Sequence, residues 1–139
     1  MNPDVPAHTL SALAIDDDPA SLELVATCLH QHDIVVSTAV SGIDGLRLAT
    51  ENDFDVILCD LLMPGIDGFA VISELQRNPV TSKVPVLVVT AQDLSDADKQ
   101  RLNGNILGIV HKGPALETGI REWLNRVAPP TLGMMPDAQ

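Results

Sequence analysis

Short apolar runs alternate with amphipathic stretches along most of the chain. Five runs are brief and mostly apolar, and four of them are rich in β-branched residues, which predicts buried strands over residues 10–15, 34–40, 55–59, 84–89 and 106–110. Between and after these runs, apolar residues recur with the spacing of a helical face. Strands that alternate with helices over short connections favour a doubly wound, parallel α/β sheet with right-handed crossovers.

Local signals also predict where some helices begin and which side they bury. Asp17 or Asp18 can cap the first helix, because Pro19 follows in its first turn. Ser95 can cap a short polar helix over residues 94–102. The second helix is predicted over residues 42–52, and its inward face is predicted to consist of Ile43, Leu46 and Ala49.

Length, charge and cysteine content limit the possible functions. The 139 residues suit one domain, which we place at residues 9–127, with residues 1–8 and 128–139 as flexible termini. A formal net charge of −11 argues against binding to nucleic acid or to an anionic membrane. No run reads as a signal peptide or a membrane span, so we expect a cytoplasmic protein. Cys28 and Cys59 lie in apolar patterns and are expected to be buried free thiols.

Polar side chains follow four of the predicted strands at the point where each strand ends. Asp16 and Asp17 follow the first strand, Asp60 the third, Thr90 the fourth and Lys112 the fifth. The carboxyl ends of parallel strands meet at one edge of a sheet, where open α/β sheets bind their ligands. Neighbouring carboxylates repel each other unless a cation lies among them, and Mg²⁺ prefers oxygen ligands. The sequence therefore predicts a magnesium site at this edge.

These side chains suit phosphoryl chemistry. A carboxylate such as Asp60 can attack a phosphoryl group and form an acyl phosphate. Asp17 and Asp60 would bind Mg²⁺ directly and Asp16 through water, since Mg²⁺ takes few carboxylates and keeps several waters. Lys112 offers a compact positive charge to one phosphoryl oxygen, and Thr90 offers a hydroxyl donor to another.

Together these residues resemble the receiver domain of two-component response regulators, and the resemblance covers roughly residues 9–127. It rests on the acidic pair after strand one, on Asp-x-x-Met-Pro-Gly-x-Asp-Gly from Asp60, on Thr-Ala after strand four and on the lysine after strand five. It implies a flavodoxin-like (βα)5 fold with strand order 2-1-3-4-5. It also implies a phosphoacceptor at Asp60, with Mg²⁺ held by Asp16, Asp17, Asp60 and the backbone carbonyl of Leu62.

The resemblance further implies a partner and an output. A stand-alone bacterial receiver would take its phosphoryl group from a histidine kinase or a histidine phosphotransfer protein in a phosphorelay. Phosphorylation would draw Thr90 inward and change the surface of helix four, strand five and helix five, which a downstream protein or a second copy would read. Such a domain is a signalling module, monomeric or homodimeric, and not an enzyme that turns over an external substrate. Residues 99–104 and 111–113 are similar to receivers attached to hybrid sensor kinases.

Two positions depart from the family pattern. The switch position in strand five is usually aromatic and is Ile109 here. The proline that usually follows the lysine is displaced to Pro114, and Gly113 between them can adopt a positive φ. These departures leave room for an alternative, an interaction module of the same fold that does not use phosphate. A haloacid-dehalogenase-like phosphatase would need an aspartate where Leu62 stands.

Overall fold

The computed structural model describes residues 10–63, 65–91, 93–102 and 106–127. Strands and helices alternate strictly in this part of the chain, in the order β1 (Ser11–Ile15), α1 (Pro19–His30), β2 (Val35–Ala39), α2 (Gly42–Glu51), β3 (Val56–Cys59), α3 (Gly68–Arg77), β4 (Val86–Thr90), α4 (Asp96–Gln100), β5 (Ile106–His111) and α5 (Leu116–Val127). The predicted flexible termini, residues 1–8 and 128–139, lie outside the described residues, as does Thr9 at the start of the predicted domain.

The strands form one parallel sheet with the order β2-β1-β3-β4-β5. This arrangement confirms the predicted doubly wound α/β fold. The chain enters at β1, moves outward to β2 and then returns past β1 to β3. That reversal places the ends of β1 and β3 side by side, at the position where such sheets bind ligands.

The core forms two layers, one on each face of the sheet. On one face α1 and α5 pack on the strands, and the buried side chains of this α1–α5 core include Ala12, Leu58, Leu87, Leu29 and Ile120. On the other face α2 and α3 pack on the strands, and the buried side chains of this α2–α3 core include Leu13, Ile57, Val88, Ile72 and Leu75. Neighbouring strand residues alternate between the two cores because successive side chains point to opposite faces. Burial of each large apolar side chain contributes about 1.5–3 kcal/mol.

The predicted helix caps are confirmed. Asp18 caps α1, and its carboxylate accepts a hydrogen bond from the backbone N–H of Ala20 at 3.1 Å. Ser95 caps α4 in a reciprocal capping box with Asp98. However, α4 is shorter than predicted, so Leu94 and Leu102 lie outside the helix and pack, partly buried, against the α2–α3 core.

The predicted inward face of α2 is wrong at one position. Ile43 is 65% exposed, whereas Ala49 is buried and Leu46 is partly buried as expected. The reason is a close approach between α2 and the sheet at Gly45, where an added Cβ would lie 2.5 Å from Cδ1 of Ile15. Since the side chain of Ile15 fills the space that Gly45 leaves, the helix turns its glycine side inward and Ile43 outward.

A second glycine allows an aromatic ring to cover the outer strand β5. Trp123 of α5 lies over Gly108 of β5, and a Cβ at that glycine would overlap the indole ring. Trp123 is partly buried and packs against the α1–α5 core. The tryptophan therefore takes the space that a side chain from the strand would otherwise occupy.

Two expectations from composition can be compared with the structure. Cys28 and Cys59 are both free and buried, as predicted. Among the residues that the structure describes, no helix has the length and apolarity needed to cross a membrane.

Candidate functional site

Two buried carboxylates lie side by side at the carboxyl edge of the sheet. Asp16 directly follows β1 and Asp60 directly follows β3, and each is only 5% exposed. The backbone N–H of Asp16 donates to the carbonyl of Ala39, and the backbone N–H of Asp60 donates to the carbonyl of Ile15, both at 3.0 Å. These bonds extend the sheet ladder by one residue and fix the position from which each carboxylate projects.

Asp17 completes an acidic cluster with Asp16 and Asp60. Carboxylate oxygens from the three residues all lie within 4.8 Å of one another. Asp17 is exposed while the other two are buried, so the cluster opens to solvent on one side. The structure therefore brings together the three acidic residues that the sequence predicted to meet.

Lys112 connects the two buried carboxylates. Its Nζ lies 2.6 Å from Oδ2 of Asp16 and 3.3 Å from Oδ2 of Asp60. The backbone places it there, because the N–H of Lys112 donates to the carbonyl of Thr90 at 2.9 Å. Gly113 follows with a φ of 139°, a conformation that confirms the sequence expectation for this glycine. The contact with Asp16 was not predicted, since it depends on the relative positions of β1 and β5 across the sheet.

The loop after β3 is held close to the backbone of Asp60. Oδ1 of Asp60 accepts a hydrogen bond from the N–H of Leu62 at 3.3 Å. The N–H of Gly68, the first residue of α3, donates to the carbonyl of Leu61 at 3.1 Å. A Cβ at Gly68 would overlap the carbonyl of Asp60 and the Cα of Leu61, so only glycine fits there. The role of the Leu62 carbonyl as a metal ligand stays a prediction.

Thr90 lies in β4, the strand next to β3, and Ile109 lies in β5, the strand beyond it. Thr90 is the last residue of β4, is fully buried and lies opposite His111 of β5. Ile109 lies opposite Val88 and packs, partly buried, against the α2–α3 core. Because β4 is the neighbour of β3, Thr90 lies at the same sheet edge as Asp60. The functional role of Thr90 stays a prediction.

The electrostatics of the site favour an added cation. Burial, followed by the negative charge of Asp16, raises the pKa of the Asp60 carboxyl, and the opposing effects of Lys112 and the Leu62 N–H do not cancel that rise. Burial alone would lower the pKa of Lys112, but its hydrogen bond to Asp16 and the negative charges of Asp60 and Asp16 raise it. Lys112 is therefore a stable cation, yet one positive charge leaves three carboxylates undercompensated.

The donor set fits Mg²⁺. Its ligands would all be oxygens, and Mg²⁺ commonly binds through one or two carboxylates while keeping several waters. The exposed side of the cluster at Asp17 leaves room for those waters. Asp16 and Asp60 are already fixed by backbone hydrogen bonds, so binding requires little rearrangement of the protein.

We expect Mg²⁺ to stabilise the folded protein. At a free concentration of ten times the Kd, the free energy of unfolding should rise by about 1.4 kcal/mol, because the ion binds only the folded state. Thermal unfolding followed by circular dichroism, with and without Mg²⁺, measures this change. Asp17→Asn should remove most of it. Asp18→Asn is the matched control, since asparagine also caps helices and Asp18 lies outside the cluster. If Mg²⁺ stabilised both variants equally, the result would contradict Mg²⁺ binding by Asp16, Asp17 and Asp60.

Comparisons with known proteins agree with this geometry. A family model described as the response regulator receiver domain matches residues 12–122. The chain is 44% identical over 79 residues to the DNA-binding dual master transcriptional regulator RpaA of a Synechocystis species, a match that covers 57% of this chain and 33% of RpaA. It is 37% identical over 87 residues to protein PilH of Pseudomonas aeruginosa, which covers 63% of this chain and 71% of PilH.

A solved structure shows the same fold over its full length. The chemotaxis protein CheY4 of Vibrio cholerae superposes with a TM-score of 0.76 at 28% identity, and the match covers 86% of this chain and 99% of CheY4. The match to RpaA, by contrast, covers only a third of that regulator. Since the family match runs from β1 into α5, and so includes every strand of the sheet, the chain belongs to the response regulator receiver domain family of two-component systems.

Proposed function

We propose that Asp60 accepts a phosphoryl group from a phosphohistidine of a histidine kinase or a histidine phosphotransfer protein. The N–P bond of the phosphohistidine breaks, a bond forms between a carboxylate oxygen of Asp60 and phosphorus, and the imidazole leaves and takes up a proton. The observation that best supports this role is the position of Asp60. It is a buried carboxylate next to two others, with an ammonium group 3.3 Å away.

The surrounding residues have complementary roles in this proposal. Mg²⁺ bound by Asp16, Asp17, Asp60 and the carbonyl of Leu62 would neutralise charge on the transferring phosphoryl oxygens. Lys112 favours the ionised, nucleophilic form of Asp60 and then binds a phosphoryl oxygen. Because it contacts Asp16 and Asp60 together, it limits the repulsion between them without blocking the solvent side at Asp17.

The output would pass through the strands next to the site. A new phosphoryl group offers acceptor oxygens to the Thr90 hydroxyl, and Thr90 is linked to the end of β5 through the backbone bond from Lys112. The surface of α4, β5 and α5 would change in response. A cytoplasmic protein that recognises this surface, or a second copy of the chain, would read the signal. The net charge of −11 favours partners with basic surfaces.

Acetyl phosphate tests the acceptor chemistry without a partner protein. With Mg²⁺ present, intact-protein mass spectrometry should show the addition of one phosphoryl group. Hydroxylamine should release that group, because it cleaves acyl phosphates and leaves phosphoserine and phosphothreonine intact. Chelation of Mg²⁺ should slow uptake strongly. No uptake, or uptake that resists hydroxylamine, would contradict the proposal and favour a module that does not use phosphate.

A further inference from the structure

Helix α4 is attached to the rest of the protein by few contacts. It has five residues, all of which the structure describes, and none is buried. Its flanking residues Leu94 and Leu102 are partly buried against the α2–α3 core, the same cluster that contains Phe69 and Ile109. The flanks therefore attach this segment to the sheet, and the helix itself lies on the surface.

A side-chain contact connects the end of α4 to α3. Arg101, the C-cap residue of α4, stacks its guanidinium on the ring of Phe69, with Cζ 3.9 Å from the ring centroid. This distance lies well within the range of a cation–π interaction. Arg101 is exposed, so its replacement would remove the stack without leaving a cavity in the core.

Phe69 is itself connected to the phosphoacceptor. It is the second residue of α3, and Gly68 before it packs directly on the backbone of Asp60 and Leu61. The hydrogen bond from Gly68 N–H to the Leu61 carbonyl fixes the same contact. Gly68 is therefore the point at which a shift of the backbone at Asp60 and Leu61 would reach the first turn of α3, which carries Phe69.

We propose that the Arg101–Phe69 stack transmits the phosphorylation state of Asp60 to α4. This inference rests on the proposed function of Asp60. In the unphosphorylated protein the stack holds α4 against α3, and phosphorylation moves the first turn of α3 and weakens the stack. α4 thus has two positions, stacked and released, and the acceptor loop biases the equilibrium between them.

The positions of the aromatic residues support this route from Asp60 through Phe69 and Arg101 to α4. The chain has three aromatic residues, Phe54, Phe69 and Trp123. Trp123 packs against the opposite core, and Phe54 precedes β3 at the far end of the strand from Asp60. Phe69 is the aromatic residue placed between the acceptor loop and α4, on the same face of the sheet as Ile109.

Amide NMR spectra with Mg²⁺, recorded before and after addition of beryllofluoride as a phosphoryl mimic, test the route. In the wild type, amides near Asp60 and throughout α4 should shift. In Arg101→Gln, the α4 amides should already lie closer to their beryllofluoride positions, and their further shift should fall about twofold or more. Phe69→Leu, which keeps an apolar side chain, should have the same effect. Amides of residues 60–63 should respond in both variants as in the wild type.

The matched control is Arg126→Gln. Arg126 stacks on Trp123 at 4.4 Å on the opposite face of the sheet, so its loss removes an equivalent interaction away from α4. It should leave the α4 response unchanged. An undiminished α4 response in Arg101→Gln, or an equal loss in Arg126→Gln, would overturn the route while leaving the function of Asp60 intact. If beryllofluoride moves no amide near Asp60 in the wild type, the proposed function fails and the inference fails with it.

Discussion

Asp60→Asn should abolish phosphoryl uptake from acetyl phosphate, to below about one hundredth of the wild-type rate. An amide oxygen is a poor nucleophile, and the remaining carboxylates are badly placed to replace it. Asp16 is bound to Lys112 at 2.6 Å, and Asp17 is exposed. Intact-protein mass spectrometry over a time course measures the rate. Asp18→Asn at the same sheet edge is the control and should match the wild type. Unchanged uptake by Asp60→Asn would place the acceptor at another residue.

The same variant should remain folded and should unfold at a higher temperature without Mg²⁺. Burial and the charge of Asp16 raise the pKa of Asp60 in the folded state. The folded protein therefore binds more protons at this group than the unfolded chain does. The contribution of Asp60 to stability falls as pH rises from the pKa of this carboxyl in the unfolded chain through its higher pKa in the folded protein. Asparagine removes that cost, while Lys112 keeps its partner Asp16. We expect a higher Tm for Asp60→Asn than for the wild type near neutral pH, measured by thermal unfolding followed by circular dichroism.

Lys112→Met should have the largest effect on stability. Lys112 bridges two carboxylates whose side chains are only 6–7% exposed, and its loss leaves both of them buried without a counter-charge. Removal of one partner from a buried ion pair costs about 3–5 kcal/mol. Urea denaturation near neutral pH without Mg²⁺ measures the loss. Lys99→Met is the control, since Lys99 is exposed on α4, and it should change stability little.

Acid and Mg²⁺ should each recover part of this loss. Without Lys112 the pKa of Asp60 rises further, so protonation of the carboxylates removes the uncompensated charge and the deficit shrinks as pH falls. Mg²⁺ supplies positive charge to the same oxygens. A deficit independent of both pH and Mg²⁺ would show that Lys112 acts by packing and not by its charge.

The site residues could be predicted because each follows an unmistakable apolar run. Asp16, Asp60 and Lys112 each stand one or two residues beyond a short apolar stretch, and parallel strands bring such positions to one edge. Their contacts could not be predicted. Whether Lys112 reaches Asp16, Asp60 or both depends on strand twist and stagger across β1, β3 and β5, which no local pattern records.

The sequence predicts packing wrongly, or not at all, where the packing depends on a glycine or on a residue far away in the chain. Ile43 was predicted inward by its hydrophobicity, but the fit of Ile15 against Gly45 decides the orientation of α2. A prediction from helical periodicity uses the spacing of apolar side chains, so it does not detect a glycine that packs against the sheet. The pairing of Arg101 with Phe69 joins a polar helix to a residue more than thirty positions earlier, and neither residue signals the other in the sequence.

The indole ring that covers Gly108 gives the protein a natural optical probe. The chain has one tryptophan and no tyrosine, so its near-ultraviolet emission comes from a single fluorophore at a known position. That fluorophore lies against β5, on the sheet face opposite α4. Changes in its emission wavelength, quenching or anisotropy therefore report movement of the outer strand directly. Stopped-flow mixing can thus time the response of β5 without an attached dye, in the unmodified protein.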